Sequence, residues 1–347
     1  MITAINGACK ILRSTGLSDT QVYPILNLIE KWVRSNGEEW TVNRLKLLKQ
    51  GFVNHLAGLS FRLPENSWIK ATPNGPRGPF RALMKMKKKP HKALSAFMVY
   101  SSFVSKRITN AQKQKFLDGV NTLGKDFDAD TPFFSKFFTE FGRLETTSHF
   151  SWMPLRALLN KEIRIPYYKW STDEWEAPKL SSCKNSMEGI LSTASAPFIG
   201  SWLKRRGPQP DVQDLYWRAR KNIPQTYVGK VGFIQEPGYK LRSVANPFPV
   251  YQIALSAFGS LLYNNLRKIP EDATFDQDRG VLEIQNYMKE GGELVAFDLS
   301  SATDTFPFWL TKTGLETWEG VHRADLDLWS DLSRGTWQSS LGDIRWK

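Results

Sequence analysis

Glu293-Leu294-Val295-Ala296-Phe297-Asp298-Leu299-Ser300-Ser301-Ala302-Thr303-Asp304 carries two aspartates with five residues between them, the first delivered by an apolar run. Leu294 to Phe297 lie between Gly291-Gly292 and Asp298, the pattern of a short strand buried on both faces and ending in an acid. Mg2+ takes hard oxygen ligands, often one or two carboxylates plus the phosphates of its substrate, so an aspartate at a rigid strand end suits it. Asp298 is that candidate metal ligand and catalytic residue. Ser300, Ser301, Thr303 and Asp304 suit the cap of a following helix. Asp304 then falls near the sugar of a bound nucleotide, where a carboxylate accepts a hydrogen bond from the 2′-OH that distinguishes RNA from DNA. The plainer reading is an ordinary strand end followed by a helix cap, and the spacing alone does not separate the two.

Upstream, residues 229–247 read as a basic hairpin. Val231 and Phe233, then Leu241 and Val244, form apolar arms around Glu236-Pro237-Gly238-Tyr239, where Pro presets φ and Gly accepts a positive one. Strand side chains alternate, so Lys240 and Arg242 share a face. Two such cations can hold a triphosphate, Arg through a bidentate fork and Lys as a point charge. Lys230 is a third candidate. Alone, a basic hairpin is more often a solvated surface element.

Taken together, Phe233 to Pro247, Thr274-Phe275-Asp276-Gln277-Asp278 and Phe297 to Pro307 resemble, in order, the nucleotide-entry and first palm motifs of viral RNA-dependent RNA polymerases of the mitovirus and narnavirus group. Gly37-Glu38-Glu39-Trp40-Thr41-Val42-Asn43-Arg44-Leu45-Lys46 gives a weaker likeness to an N-terminal segment of mitovirus-like polymerases. The resemblance implies that Asp298 is a ligand of both metals (Mg2+ or Mn2+), that Asp304 selects ribose, and that Lys240 and Arg242 bind the incoming phosphates. In that scheme one ion activates the primer 3′-oxygen and the other stabilises the departing pyrophosphate. RNA template and product and nucleoside triphosphates are the implied partners.

The family continues with a Gly-rich motif and a Gly-Asp-Asp hairpin that supplies further metal carboxylates. Neither occurs here: Gly342-Asp343 has a single aspartate, lies close behind the first motif and reads as a turn. The expectation is therefore that the isolated chain does not polymerise RNA. It is an incomplete reading of a longer polymerase, half of a palm divided with a second polypeptide, or an endogenised remnant.

Composition agrees with RNA handling. A formal charge of +13 calls for a polyanionic partner and salt-sensitive binding. With 41% hydrophobic and 13% aromatic residues the chain has material for a core, which excludes global disorder. Cys9 and Cys183 are too few for a disulfide framework or zinc site, and His55, His91, His149 and His322 lack ligand spacing. No apolar run has the length of a membrane span and the N-terminus does not read as a secretory signal; the resemblance implies host mitochondrion if mitovirus-like, or host cytoplasm if narnavirus-like.

Residues 1 to about 60 read as helical, with Val22, Ile25, Leu26, Ile29, Trp32 and Val33 on one side. Residues 64–92 are broken by proline and glycine and end in a basic run. Lys85, Lys87, Lys88 and Lys89 there either follow an RNA backbone or form a solvated stretch. Phe133, Phe134, Phe137, Phe138 and Phe141 have helical spacing that suits a core face better than a base-stacking stripe. Lys204-Arg205-Arg206-Gly207-Pro208 marks a break, and Arg205, Arg206, Arg218 and Arg220 are candidate RNA contacts. Pro249 to Leu266 reads as one helix.

The fold expected is a mixed α+β right-hand polymerase fragment lacking the second and third palm motifs. Residues 1–210 form a helix-rich N-terminal and fingers region, 211–290 fingers with the hairpin, and 291–347 the first strand-helix unit of the palm. A noncatalytic RNA-binding protein is the alternative, disfavoured by an acid at a buried strand end. A reverse transcriptase is a second, disfavoured by Asp304.

Overall fold

The computed structural model describes residues 2–86, 88–121, 150–164, 193–220, 226–295, 306–318 and 320–346. The chain divides into two compact units, Met1–Gln114 with Phe233–Ser243, and Lys115–Gly232 with Val244–Lys347. Among the described residues it is helix-rich with small sheets, and no helix is long and apolar enough to cross a membrane.

The first unit begins with α1 (Ile2–Ser14), α2 (Asp19–Asn36) and α3 (Glu38–Leu56). As the periodicity predicts, Val22, Ile25, Leu26, Ile29 and Val33 of α2 are buried. Gly37 holds φ at +86° and its N–H bonds Val33 O at 2.9 Å, so α2 stops and α3 starts with one residue between them. Only glycine takes that angle without steric cost. The Pro/Gly stretch forms short pieces, β1 (Ala71–Thr72) paired antiparallel with β2 (Gly75–Pro76), then α4 (Arg81–Met84) and α5 (Pro90–Phe97). Their apolar residues close the core: Phe80 stacks on Trp32 at 5.6 Å and Phe97 on Phe52 at 4.7 Å. α6 (Asn110–Asn121) starts in this unit.

The second unit contains α7 (Met153–Arg164), α8 (Ile199–Arg206) and α9 (Pro210–Ala219), with Gly207 at φ +70° ending α8 at the expected break. β3 (Tyr227–Glu236) and β4 (Lys240–Pro247) are neighbours joined by three residues, hence an antiparallel hairpin; α10 (Pro249–Ala254) and α11 (Ser256–Leu266) follow. After α12 (Gln277–Lys289), α13 (Phe308–Thr317) and α14 (Arg323–Ser333), β5 (Thr336–Ser339) returns beside β3 in parallel, Tyr227 opposite Thr336 and Val231 opposite Ser339. Gly229 allows this approach: a Cβ there would lie 2.6 Å from the Trp337 ring and 2.3 Å from Asn246 O. Gly342 turns at φ +107° and returns Ile344 to Trp337, so Gly342-Asp343 is a turn as expected.

Two expectations change. Pro249 to Leu266 is two helices, split at Leu255 (φ −93°, ψ 2°), which lets Tyr251 and Ala254 be buried with α10 while Phe258 joins a separate core with Leu315 and Leu326. Leu294 and Val295 are not in a strand and are 48% and 75% exposed. An apolar run becomes a buried strand only where a neighbouring strand satisfies its backbone, and neither described sheet, β1-β2 or β4-β3-β5, takes in these two residues; Ala296 and Phe297 lie outside the described residues. The compact units group the hairpin tip, Phe233–Ser243, with the N-terminal helices, where Tyr239 packs against their core. Phe133 to Phe141, His149 and Cys183 lie outside the described residues.

Truncating the fully buried Phe52 removes both its volume and its stack on Phe97. Phe52→Ala should cost about 3–5 kcal/mol in chemical denaturation, with the loss in the first unit by hydrogen exchange.

Candidate functional site

The hairpin turn is held from several sides within the first unit. Gly238 (φ +77°) is buried, its N–H donates to Phe103 O at 2.7 Å, and its carbonyl accepts from Lys46 Nζ at 2.7 Å. Tyr239 (φ +58°) gives its hydroxyl to Glu38 Oε2 at 2.5 Å, and its carbonyl accepts from Gln112 Nε2 at 2.9 Å. Gln112 also exchanges hydrogen bonds with the Gln235 amide, whose Nε2 reaches Arg107 O at 3.1 Å. Burial pushes the Tyr239 phenol up, and the Glu38 carboxylate adds to that shift. Burial alone would raise the Glu38 carboxyl, but the Tyr239 hydroxyl and nearby positive charge, Lys106 included, hold it below its ordinary value.

Beyond the turn, Lys240 and Arg242 share one face of β4, as the alternation predicts. Both reach Glu236: Lys240 Nζ lies 3.6 Å from Oε2 and Arg242 Nε 2.9 Å from Oε1. Their side chains are 61% and 56% exposed. Two cations that meet at one carboxylate can meet at one phosphate. Lys230 is half-buried on β3, opposite Gln338 of β5 in the second unit.

Other candidate residues divide three ways. Asp298, Asp304 and Lys87 lie outside the described residues. Lys85, Lys88 and Lys89 are exposed, as are Arg218, which is 3.5 Å from Asp214, and Arg220, which stacks over Trp217 at 5.1 Å. Arg205 and Arg206 have partners on α14: Arg205 is 3.0 Å from Asp327 and Arg206 is 3.4 Å from the buried Asp325. Asp325 also accepts from Trp202 Nε1 at 2.9 Å, so these arginines bind two helices together. Asp276 caps α12 by accepting from Arg279 N at 2.9 Å. Among the described residues no group of three or more His, Cys, Asp or Glu is placed to hold a metal ion.

Residues 187–347 are similar to viral RNA-dependent RNA polymerases. The family that matches over them is the Mitovirus RNA-dependent RNA polymerase, and the match takes in the hairpin and the Asp298 to Asp304 segment. No curated protein and no solved structure matches the chain. The Glu38 and Lys46 contacts fall outside the matched residues, in the segment whose likeness was weak. Gln112 gave no sequence signal, since its partners are more than a hundred residues away.

Tyr239→Phe removes a charge-assisted hydrogen bond and should cost about 1–2 kcal/mol, with faster hydrogen exchange at residues 236–241. A second check lies in the Arg206 neighbourhood. His322 Nδ1 caps α14 by accepting from Ala324 N at 3.2 Å, and burial, aided by the Arg206 charge, pushes its pKa down against the pull of Asp325. The unfolded chain therefore takes the proton first as pH falls, so this stability is present above pH about 6.5 and lost below it. His322→Asn, which still caps, should flatten the fall in Tm between pH 7 and 5.

Proposed function

We propose that this chain supplies the nucleotide-entry hairpin and the first palm carboxylates of an RNA-directed RNA polymerase that replicates a positive-strand RNA virus genome. The observation that carries the reading is the pair Lys240 and Arg242, meeting at one point on a hairpin within the matched residues. Their charges neutralise the triphosphate of the incoming nucleotide and orient it. Lys230 is assigned to the same task by resemblance alone. Asp304 accepts a hydrogen bond from the ribose 2′-OH and so favours ribonucleotides. Asp298 holds Mg2+ or Mn2+, which when bound supplies charge stabilisation for in-line transfer of a nucleoside monophosphate to an RNA 3′-hydroxyl. Little covalent work falls to the protein, so its contribution is placement of the phosphates, the sugar and the primer end.

The remaining metal carboxylates are assigned to further motifs, on the same or a second polypeptide. Exposed apolar side chains support this part of the reading. Val281, Leu282, Ile284, Tyr287 and Met288 of α12 are about half exposed, and Leu294 and Val295 join them. Apolar surface of this kind is characteristic of a contact face. RNA contact by Lys85, Lys87, Lys88, Lys89, Arg218 and Arg220 is supported by basic charge, whereas the ion pairs of Arg205 and Arg206 favour a structural role for those two.

The test is RNA synthesis by the chain together with the motif-bearing polypeptide, alongside nucleotide binding by the chain alone. Lys240→Ala with Arg242→Ala should weaken triphosphate binding by about tenfold or more while RNA binding changes little. Asp298→Asn should abolish synthesis with RNA binding retained. If both substitutions leave synthesis intact, the polymerase roles are wrong; if Asp298→Asn changes nothing and RNA binding is the sole activity, the noncatalytic alternative takes its place.

A further inference from the structure

The face of the first unit built by residues 62–92 lies outside the matched family region and combines three features. It carries nine lysines and arginines against a single acid, Glu65. Apart from Trp68, its large apolar residues turn inward: Phe80 and Leu83 are buried, as is the preceding Phe61, and Ile69, Met84 and Met86 pack against the same core. The described cations are left exposed on the outer side. Arg77 N bonds Lys70 O at 2.8 Å, which sets those two residues across from each other at the open end of the β1–β2 pair. α4, which begins at Arg81, packs on β2 and on α5 and leads directly to Lys85, Lys88 and Lys89. All six of these cations are exposed, and none is paired with a carboxylate among the described residues.

The third feature is Trp68. Its ring is 81% exposed although its neighbour Ser67 is buried. The backbone turns it outward: Trp68 has φ +59° and ψ 19°, the left-handed region, and Ser67 Oγ accepts from Ile69 N at 3.3 Å across it. A bulky side chain in that conformation costs roughly 1 kcal/mol or more and persists only where the surroundings hold it there. Core packing does not repay the cost, because the ring makes no core contact. The ordinary use of an exposed indole in a field of unpaired cations is to stack a base while the cations follow the phosphates.

We infer that this face is a binding surface for single-stranded RNA, with Trp68 as the stacking platform and Lys70, Arg77, Arg81, Lys85, Lys88 and Lys89 as the phosphate track. Unpaired RNA is favoured over duplex because stacking on an indole needs a free base face. The inference extends the RNA contact proposed for Lys85, Lys88 and Lys89 and rests on that part of the reading, but not on the catalytic roles of residues 229–304, so an inactive Asp298→Asn protein should bind here normally.

The experiment is fluorescence anisotropy of a short, unstructured, labelled RNA with the full chain, titrated at several salt concentrations. Trp68→Ala should weaken binding about tenfold with an unchanged salt slope, and Trp68→Phe should restore most of it. Lys88→Glu with Lys89→Glu should weaken binding and make the salt slope shallower, since fewer counterions are released. Ultraviolet crosslinking should join RNA to the peptide bearing Trp68. Because Trp68 is exposed, its loss should leave Tm unchanged. Binding within twofold of the parent after Trp68→Ala, or equal affinity for duplex RNA, would overturn the stacking surface. Competition by an acidic peptide as effective as RNA, with Trp68→Ala silent, would make the face a protein dock and also overturn it.

Discussion

The backbone of Gly238 and Tyr239 is the constraint on which the candidate site depends. The polar groups of Gly238 and Tyr239 lie beyond the paired strands, and a buried glycine cannot leave its own to water. Those groups must find partners elsewhere, and the first unit supplies them: Phe103 O, Lys46 and Gln112 meet the backbone, while Glu38 takes the Tyr239 hydroxyl. Lys240 follows the turn directly and Arg242 is one strand period further on. Their direction is inherited from α3 and α6, far away in sequence and outside the matched family region.

β3 links this constraint to the rest of the chain. Its tip belongs to the first unit, whereas its base pairs with β5 in the second, where Gly229 lets Trp337 approach. A side chain at Gly229 would disturb the β3–β5 register, and freeing the turn would disturb the cation pair. The same ten-residue strand thus serves two cores with two different requirements, open space at one end and hydrogen-bond partners at the other.

What could be read from the sequence was local. The periodicity of α2, the Pro-Gly turn, the shared face of Lys240 and Arg242, the break at Gly207 and the turn at Gly342 follow from backbone preferences and strand or helix period. What could not be read was long-range. Glu38 and Tyr239 are 201 residues apart, and no pattern around either announces the other. Arg205 and Arg206 look like free cations until α14 brings Asp325 and Asp327 to them. Leu294 and Val295 fail for a related reason: hydrophobicity specifies that a segment prefers burial, while a strand also needs a neighbour in register. Asp298 and Asp304 lie outside the described residues, so their part of the site rests on motif and family match.

Glu236 gives the cation pair its character. An anion between Lys240 and Arg242 looks like a competitor for phosphate, but the pairs are more than half exposed on the basic side and of a kind worth about 0–1 kcal/mol. A triphosphate offers several charged oxygens and charge-assisted bonds that are shorter and stronger than those of one exposed carboxylate. Glu236 is thus cheap to displace. Under the proposed nucleotide-binding role, Glu236 keeps two long side chains converging on one point, which would lower the entropy lost on binding a phosphate. The rigid turn fixes where that point lies, and the weak ion pair leaves it open to exchange.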